Sequence, residues 1–219
     1  MAEQRKSELK KRRRERSQSF RQPQKKTKGF FSSSFFVMIF LLKDGIIVRI
    51  MEKKFNPKDV SLIVGLGNPG NKYIKTYHNI GALYVAHAAA LQTKTEQQNF
   101  IQPSTFMNES GQAVKATLKR LNKKPADILV VHDDSDLTLG KYKLSFGRGA
   151  AGHNGVLSIM TSLHTKNFWR LRVGIRPPSS KERFREKASE FVLKKINSAA
   201  MRVLENAFLE IDSIIFPKD

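Results

Sequence analysis

Four short stretches carry side chains that could move protons or polarise a carbonyl. The stretch GLGNPGNKYIKTYHNIG, residues 65–81, holds Asn68 and the pair His78-Asn79. His132-Asp133-Asp134 closes the apolar run DILVV, and Asn108 lies in TFMNESG. His153-Asn154 follows the glycine run GRGAAG. An imidazole titrates near neutrality, so His78 is a candidate for acid–base work. Carboxamides both donate and accept, and so suit carbonyl and amide partners. A metal site from His78, His132, His153 and Asp133 is an alternative that the residue types leave open. Each residue also has an ordinary reading as a helix cap, a turn asparagine or a surface histidine. What sets them apart is that several loops carry them toward one rim.

The first six letters of that opening stretch fit G-x-G-x-x-G, a pattern that cradles dinucleotide pyrophosphates. Such a loop must open a helix, and an acid must follow about 20 residues on, after a second strand. Here NKYIKTYHN has no helical period, and the distant window is Ala88-Ala89-Ala90-Leu91. Pro69 also removes a backbone donor where a phosphate would need one. The glycines therefore read as a turn after a strand. No G-x-S-x-G elbow for a serine nucleophile occurs.

The elements that must position these residues alternate. VSLIVGL reads as a buried strand, and residues 80–91 have helical composition and spacing. NFIQP allows at most a short strand. Residues 109–122 read as a helix capped by Asn108. Strands follow at 127–133, 141–146 and 168–175, with a helix at 153–163 between the last two. Residues 187–215 are mostly helical. This alternation predicts an α/β fold with a mixed sheet. At the carboxyl ends of such strands sites gather.

The 219 residues suffice for one domain and an appendage. There is no Cys, which excludes disulfides, thiolate metal sites and cysteine nucleophiles. The formal charge is +21, and residues 1–28 supply twelve Lys/Arg against three Glu. The remainder is thus +12 in its own right, and the expected partner is a polyanion, most simply nucleic acid. Residues 1–58 read as a basic, low-complexity extension, disordered at least through its charge run; residues 59–219 read as the domain. The apolar run at 35–42 is far short of the roughly 20 residues of a spanning helix, so no membrane partner is expected. The start has a basic region and a short apolar stretch but no small-x-small cleavage site. Synthesis beginning at Met51 is a second reading of this region.

LIVGLGNPGNKYIKTYHNIG, PSTFMNESGQAV, ILVVHDDSDLTLGKYKLSFG, GAAGHNGVLSI and FWRLRVGIRPP together resemble, in order, the motifs of bacterial-type peptidyl-tRNA hydrolases. The resemblance runs from about residue 62 to residue 192. It implies a single-domain mixed sheet flanked by helices, and hydrolysis of the ester joining peptide to tRNA without metal or cofactor. By motif, His78 matches the catalytic histidine, Asp133 the carboxylate that orients it, and Asn68 a catalytic-site asparagine. Tyr73, Phe106, Met107, Asn108 and Asn154 match the substrate pocket, and Lys143 and Arg172 match tRNA contacts. The resemblance also implies a cytoplasmic monomer acting on peptidyl-tRNA, with organellar import left open. Histidine, carboxylate and carboxamide suit that chemistry: a base for water, an orienting acid, and donors for an oxyanion. His132 reads as a packed or supporting residue.

The chain departs from the family pattern in places. Between residues 91 and 103 the family has a longer segment, so the sheet edge is expected to be reduced or altered. Ser145 stands at a usually basic position, and Ala150-Ala151 interrupt the glycine run. These departures and the basic arm keep a second function in view, a non-catalytic RNA-binding relative of the same fold.

Overall fold

The computed structural model describes residues 30–32, 35–42, 45–50, 53–91, 99–178 and 188–217. The charge run expected to be disordered, residues 6–29, and the deleted-segment residues 92–98 lie outside these. The chain divides into two units, Met1–Lys54 and Phe55–Asp219.

In the first unit strands occupy the apolar part that follows the charge run. Three antiparallel strands, β1 (Phe30–Ser32), β2 (Phe35–Leu42) and β3 (Gly45–Ile50), form a sheet in the order β1-β2-β3. Aromatic and β-branched runs favour strands, and polar breaks separate them, so the backbone pairs with itself.

The second unit is built on β4 (Leu62–Gly65), β5 (Asn99–Ile101), β6 (Ile128–Thr138), β7 (Tyr142–Phe146) and β8 (Trp169–Arg176), in sheet order β5-β4-β6-β8-β7. All neighbours are parallel except β7, which runs antiparallel to β8. The mixed sheet is as expected. Its β5 edge is only three residues long. Strand β6 runs five residues beyond the expected end at residue 133, because β8 continues far enough to pair Thr138 with Arg176 past an irregularity after Asp134.

Helices α1 (Ile80–Leu91), α2 (Ser110–Leu121), α3 (Asn154–Leu163), α4 (Ala188–Phe191) and α5 (Ser198–Ile215) complete the unit. Side chains alternate across the sheet, so neighbouring residues of a strand enter different cores. Ile63, Leu129 and Val131 pack with Tyr84, Val85 and Phe208 from α1 and α5. Leu62, Val64, Ile128 and Val130 pack with Val114 and Leu118 of α2 and Val156 and Ile159 of α3. Both faces are covered, hence the unbroken apolar runs in β4 and β6. Asp212 of α5 accepts from Tyr84 Oη at 3.0 Å and His87 Nε2 at 2.8 Å, tying α5 to α1. One cap differs from expectation. Met107–Glu109 form a 3-10 turn before α2, so Asn108 lies inside that turn and does not cap the helix.

Gly65 and Gly81 of the opening stretch are packing devices, while Gly70, at φ +98° with nothing within 4 Å of a Cβ, serves the turn. A Cβ on Gly65 would lie 2.4 Å from the Gly81 carbonyl oxygen, and one on Gly81 would lie 2.1 Å from the Val131 oxygen. The start of α1 thus presses directly on the ends of β4 and β6. Leu66 N donates to Val131 O at 3.0 Å and Ala82 N donates to Leu66 O at 3.0 Å. Gly81→Ala should cost about 3 kcal/mol, as overpacking against rigid backbone does. A thermal melt should fall by about 6–12 °C. Gly149→Ala, where a Cβ meets nothing within 4 Å, should leave the melt nearly unchanged.

Candidate active site

The loop after β4 ends in a 3-10 turn, Tyr77–Asn79, that leads into α1. The turn is held by a distant segment that no sequence pattern announced. Tyr77 N donates to Lys194 O at 3.2 Å, His78 N to Val192 O at 2.8 Å, and Thr76 forms an antiparallel bridge with Lys195. Tyr77 stacks on Phe191 at 4.8 Å between centroids. His78 is therefore fixed at its backbone, with its ring only partly covered.

His78 Nδ1 lies 2.9 Å from Asp133 Oδ1. His153 Nε2 reaches the same oxygen at 2.9 Å. The tautomers follow from the remaining contacts. His153 caps α3, its Nδ1 accepting from Gly155 N at 3.2 Å and Val156 N at 3.4 Å. That nitrogen holds a lone pair, so Nε2 carries the proton and donates to Asp133. His78 likewise donates from Nδ1, which leaves its Nε2 lone pair facing outward. A base with a free lone pair and an acid on its far nitrogen can take a proton from water.

Asp133 is 4% exposed. Burial alone would raise its carboxyl pKa, but the imidazoles of His153 and His78 outweigh burial and hold it well below the usual carboxylate range. A carboxyl ionising lower when folded than when unfolded stabilises the fold above about pH 4, and that contribution fades as pH falls through the folded value. His132, buried at 3% exposed, donates from Nδ1 to Asp133 O at 2.7 Å. Burial and the neighbouring His153 push its pKa well below 6.5. It is thus a neutral supporting ring, edge-on to His153 at 4.7 Å.

Asn68 is the most closely held of the asparagines. Its Oδ1 accepts from Met107 N at 2.9 Å, which leaves its NH₂ to donate. Its backbone is gripped from both sides by Asn79. Asn68 N donates to Asn79 Oδ1 at 2.8 Å, and Asn79 Nδ2 donates to Asn68 O at 2.9 Å. Asn79 is 2% exposed, and its supporting role was not visible in its place beside His78. The alternation of His78 outward and Asn79 inward is the signal that could have shown it.

Asn108 and Asn154 are exposed at the starts of α2 and α3 and line one groove. Phe106 is half exposed, while Met107 is buried and packs its sulfur against Gly155. Tyr73 sits in the turn following Gly70, its ring beneath Lys72 Nζ at 4.8 Å. No contact joins it to His78 or Asn68 among the described residues. Lys143 and Arg172 are paired across β7 and β8, and His132 pairs with Arg172 across β6 and β8. One row thus runs from the sheet edge to the histidine cluster. Arg172 Nε is bonded to Asp134 Oδ2, so part of its charge is already matched.

Nδ1 of His78, Nε2 of His153 and an Asp133 oxygen lie within 4.8 Å of one another, a spacing a cation could bridge. Both nitrogens, however, are the protonated ones, each at hydrogen-bond distance from the carboxylate. The donor set fits a proton relay, and a cation would have to displace both protons. His132 is not part of that group.

Comparison with known proteins identifies the family. A family model described as peptidyl-tRNA hydrolase matches residues 62–215. The chain belongs to the peptidyl-tRNA hydrolase family. A peptidyl-tRNA hydrolase of Lactobacillus delbrueckii subsp. bulgaricus is 39% identical over 173 residues, covering 71% of this chain and 91% of the relative. One of Coxiella burnetii is 41% identical over 138 residues, covering 57% and 74%. A crystal structure of the family member from Acinetobacter baumannii superposes with a TM-score of 0.60 at 33% identity, covering 74% of this chain and 91% of the other. His78, Asp133, Asn68 and both basic positions fall inside the family match.

The assigned tautomers are directly measurable. Nitrogen-15 NMR should find His78 and His132 protonated at Nδ1 and His153 at Nε2. His132 should stay neutral at about pH 5.5, where a free imidazole is mostly charged. A protonated His132 there would contradict its placement.

Proposed function

We propose that this chain hydrolyses the ester joining a peptide to the 3′ end of tRNA. The observation that carries the proposal is the His78–Asp133 pair at 2.9 Å, with the outer nitrogen of His78 free to act as base. Water gives its proton to His78 Nε2 as its oxygen attacks the ester carbonyl. The ionised Asp133 stabilises the imidazolium so formed. The Asn68 NH₂ donates to the developing oxyanion, its direction set by the Met107 amide. Collapse expels the ribose oxygen, which takes the proton back from His78. The products are a peptide carboxylate with its released proton and a tRNA with a free 3′ hydroxyl.

Around this centre Asn108 and Asn154 meet the peptide, with Phe106 and Met107 as apolar neighbours and Tyr73 at the outer turn. Lys143 and Arg172 take tRNA phosphates. Such contacts are indifferent to sequence, which suits an enzyme acting on many tRNAs. The intact base–acid pair favours turnover over the reading of a non-catalytic RNA-binding relative.

The wild-type chain should cleave N-acetyl-aminoacyl-tRNA in a single turnover. His78→Ala should lower the rate at least about 10³-fold. Asp133→Asn should cost about 10³–10⁴-fold, through loss of the tautomer, and Asn68→Ala about 10²–10³-fold. A folded wild-type protein that binds RNA but leaves the ester intact would sink the proposal. For Lys143→Ala, KM should rise and the slope of log KM against log salt should shrink by about one, with kcat unchanged.

A further inference from the structure

The outer side of α2 is cationic. Residues 110–126 hold five Lys/Arg and no Asp or Glu. Lys115, Lys119, Arg120, Lys123 and Lys124 are all exposed, and none makes an ion pair among the described residues. Lys119 and Arg120 lie in the last turn, where the helix dipole favours cations. The dipole does not account for Lys115, which stands mid-helix, or for Lys123 and Lys124, which follow the left-handed Asn122. Lys115 and Lys119 are four residues apart, and like charges at that spacing weaken a helix. The neighbouring helix differs: α3 carries no Asp, Glu, Lys or Arg. Chain order sets where α2 lies. It connects β5 to β6, whereas α3 leads into β8. The two helices touch, with Gly111 N donating to Ser158 Oγ at 3.0 Å. α3 therefore separates the α2 cations from Lys143 and Arg172 on β7 and β8.

We propose that the exposed side of α2 docks the phosphate backbone of a double-helical RNA other than the substrate, while peptidyl-tRNA occupies the reactive centre. The chemistry of the face selects the occupant. A protein interface is anchored by buried aromatic and aliphatic side chains, and a helix lying on a membrane inserts an apolar face. No large apolar side chain of residues 110–126 is exposed. What the face offers is a set of cations on flexible stems, which take phosphates without regard to sequence. Double-helical RNA presents such phosphates and is recognised mainly by backbone and shape. Position separates this RNA from the substrate, and here the inference rests on the proposed hydrolysis. In that reading the tRNA phosphates lie on Lys143 and Arg172, and the peptide lies against Asn108 and Asn154 at the heads of α2 and α3. The same tRNA would have to cross the peptide to reach Lys115 and Lys119. A second RNA reaches them from the open side.

The test titrates the full chain with a fluorescent RNA duplex of about 16 base pairs, the span of a typical duplex-binding domain. The variant Lys115→Ala/Lys119→Ala/Lys123→Ala should weaken duplex binding at least about tenfold at about 0.1 M salt, and the slope of log affinity against log salt should shrink by about two to three. Its KM and kcat for N-acetyl-aminoacyl-tRNA should stay at the wild-type values. Its melt should hold or rise, because alanine favours helix and the like-charge pair is gone. A control, Lys58→Ala/Lys195→Ala/Arg202→Ala, removes the same charge from exposed positions in other parts of the second unit and should leave duplex binding near wild type. An equal loss in the control would reduce the effect to net charge, and a raised KM in the α2 variant would give the face to the substrate; either overturns the proposal, as does unchanged duplex binding. A wild type that binds the duplex through α2 but leaves the ester intact counts against the hydrolysis and not against this face.

Discussion

A buried carboxylate is expensive unless it is paired, and Asp133 meets that constraint with two imidazoles on one oxygen. Leaving such a charge uncompensated typically costs about 3–5 kcal/mol. The rest of the site follows from meeting it. His78 must come from the β4–α1 loop and His153 from the head of α3, so helices on opposite faces of the sheet are drawn to the same strand end. Each ring is oriented by its other contacts. For His153 these are the first amides of a helix, and for His78 the backbone of residues 192 and 194. The charge and the two helix starts are thus parts of one arrangement.

Two polar surfaces of the second unit differ in charge. Lys143 and Arg172 form a basic row on β7 and β8 that ends at His132. The groove between α2 and α3 carries only Glu109 as a charged wall.

Much of this was legible in the residues. The apolar runs of β4 and β6 announced strands buried on both faces, and α1 was readable to its end residues because its composition changes abruptly there. His78, Asp133 and Asn68 could be named because they follow such strands and match an ordered set of motifs. What could not be read was long-range. Asn79 looked like part of the acid–base pair, yet its amide is folded back on Asn68, a contact only the closed loop creates. The clamp of residues 192–196 on Thr76, Tyr77 and His78 joins segments more than a hundred positions apart, with no periodic signal in either. Asn108 was misjudged as a cap because a 3-10 turn and the first turn of a helix demand similar residues. The β1–β3 sheet was hidden by the charge run before it, which dominated the composition of the whole extension.

The glycine contacts at the head of α1 carry a consequence for how this protein can change over generations. Gly65, Gly81 and the Val131 carbonyl meet backbone to backbone, so the span between His78 and Asp133 is gauged by peptide groups that every residue shares. Side chains elsewhere in both cores can be exchanged without altering that gauge. Substitution is thereby constrained most where nothing larger than hydrogen fits, at Gly65 and Gly81.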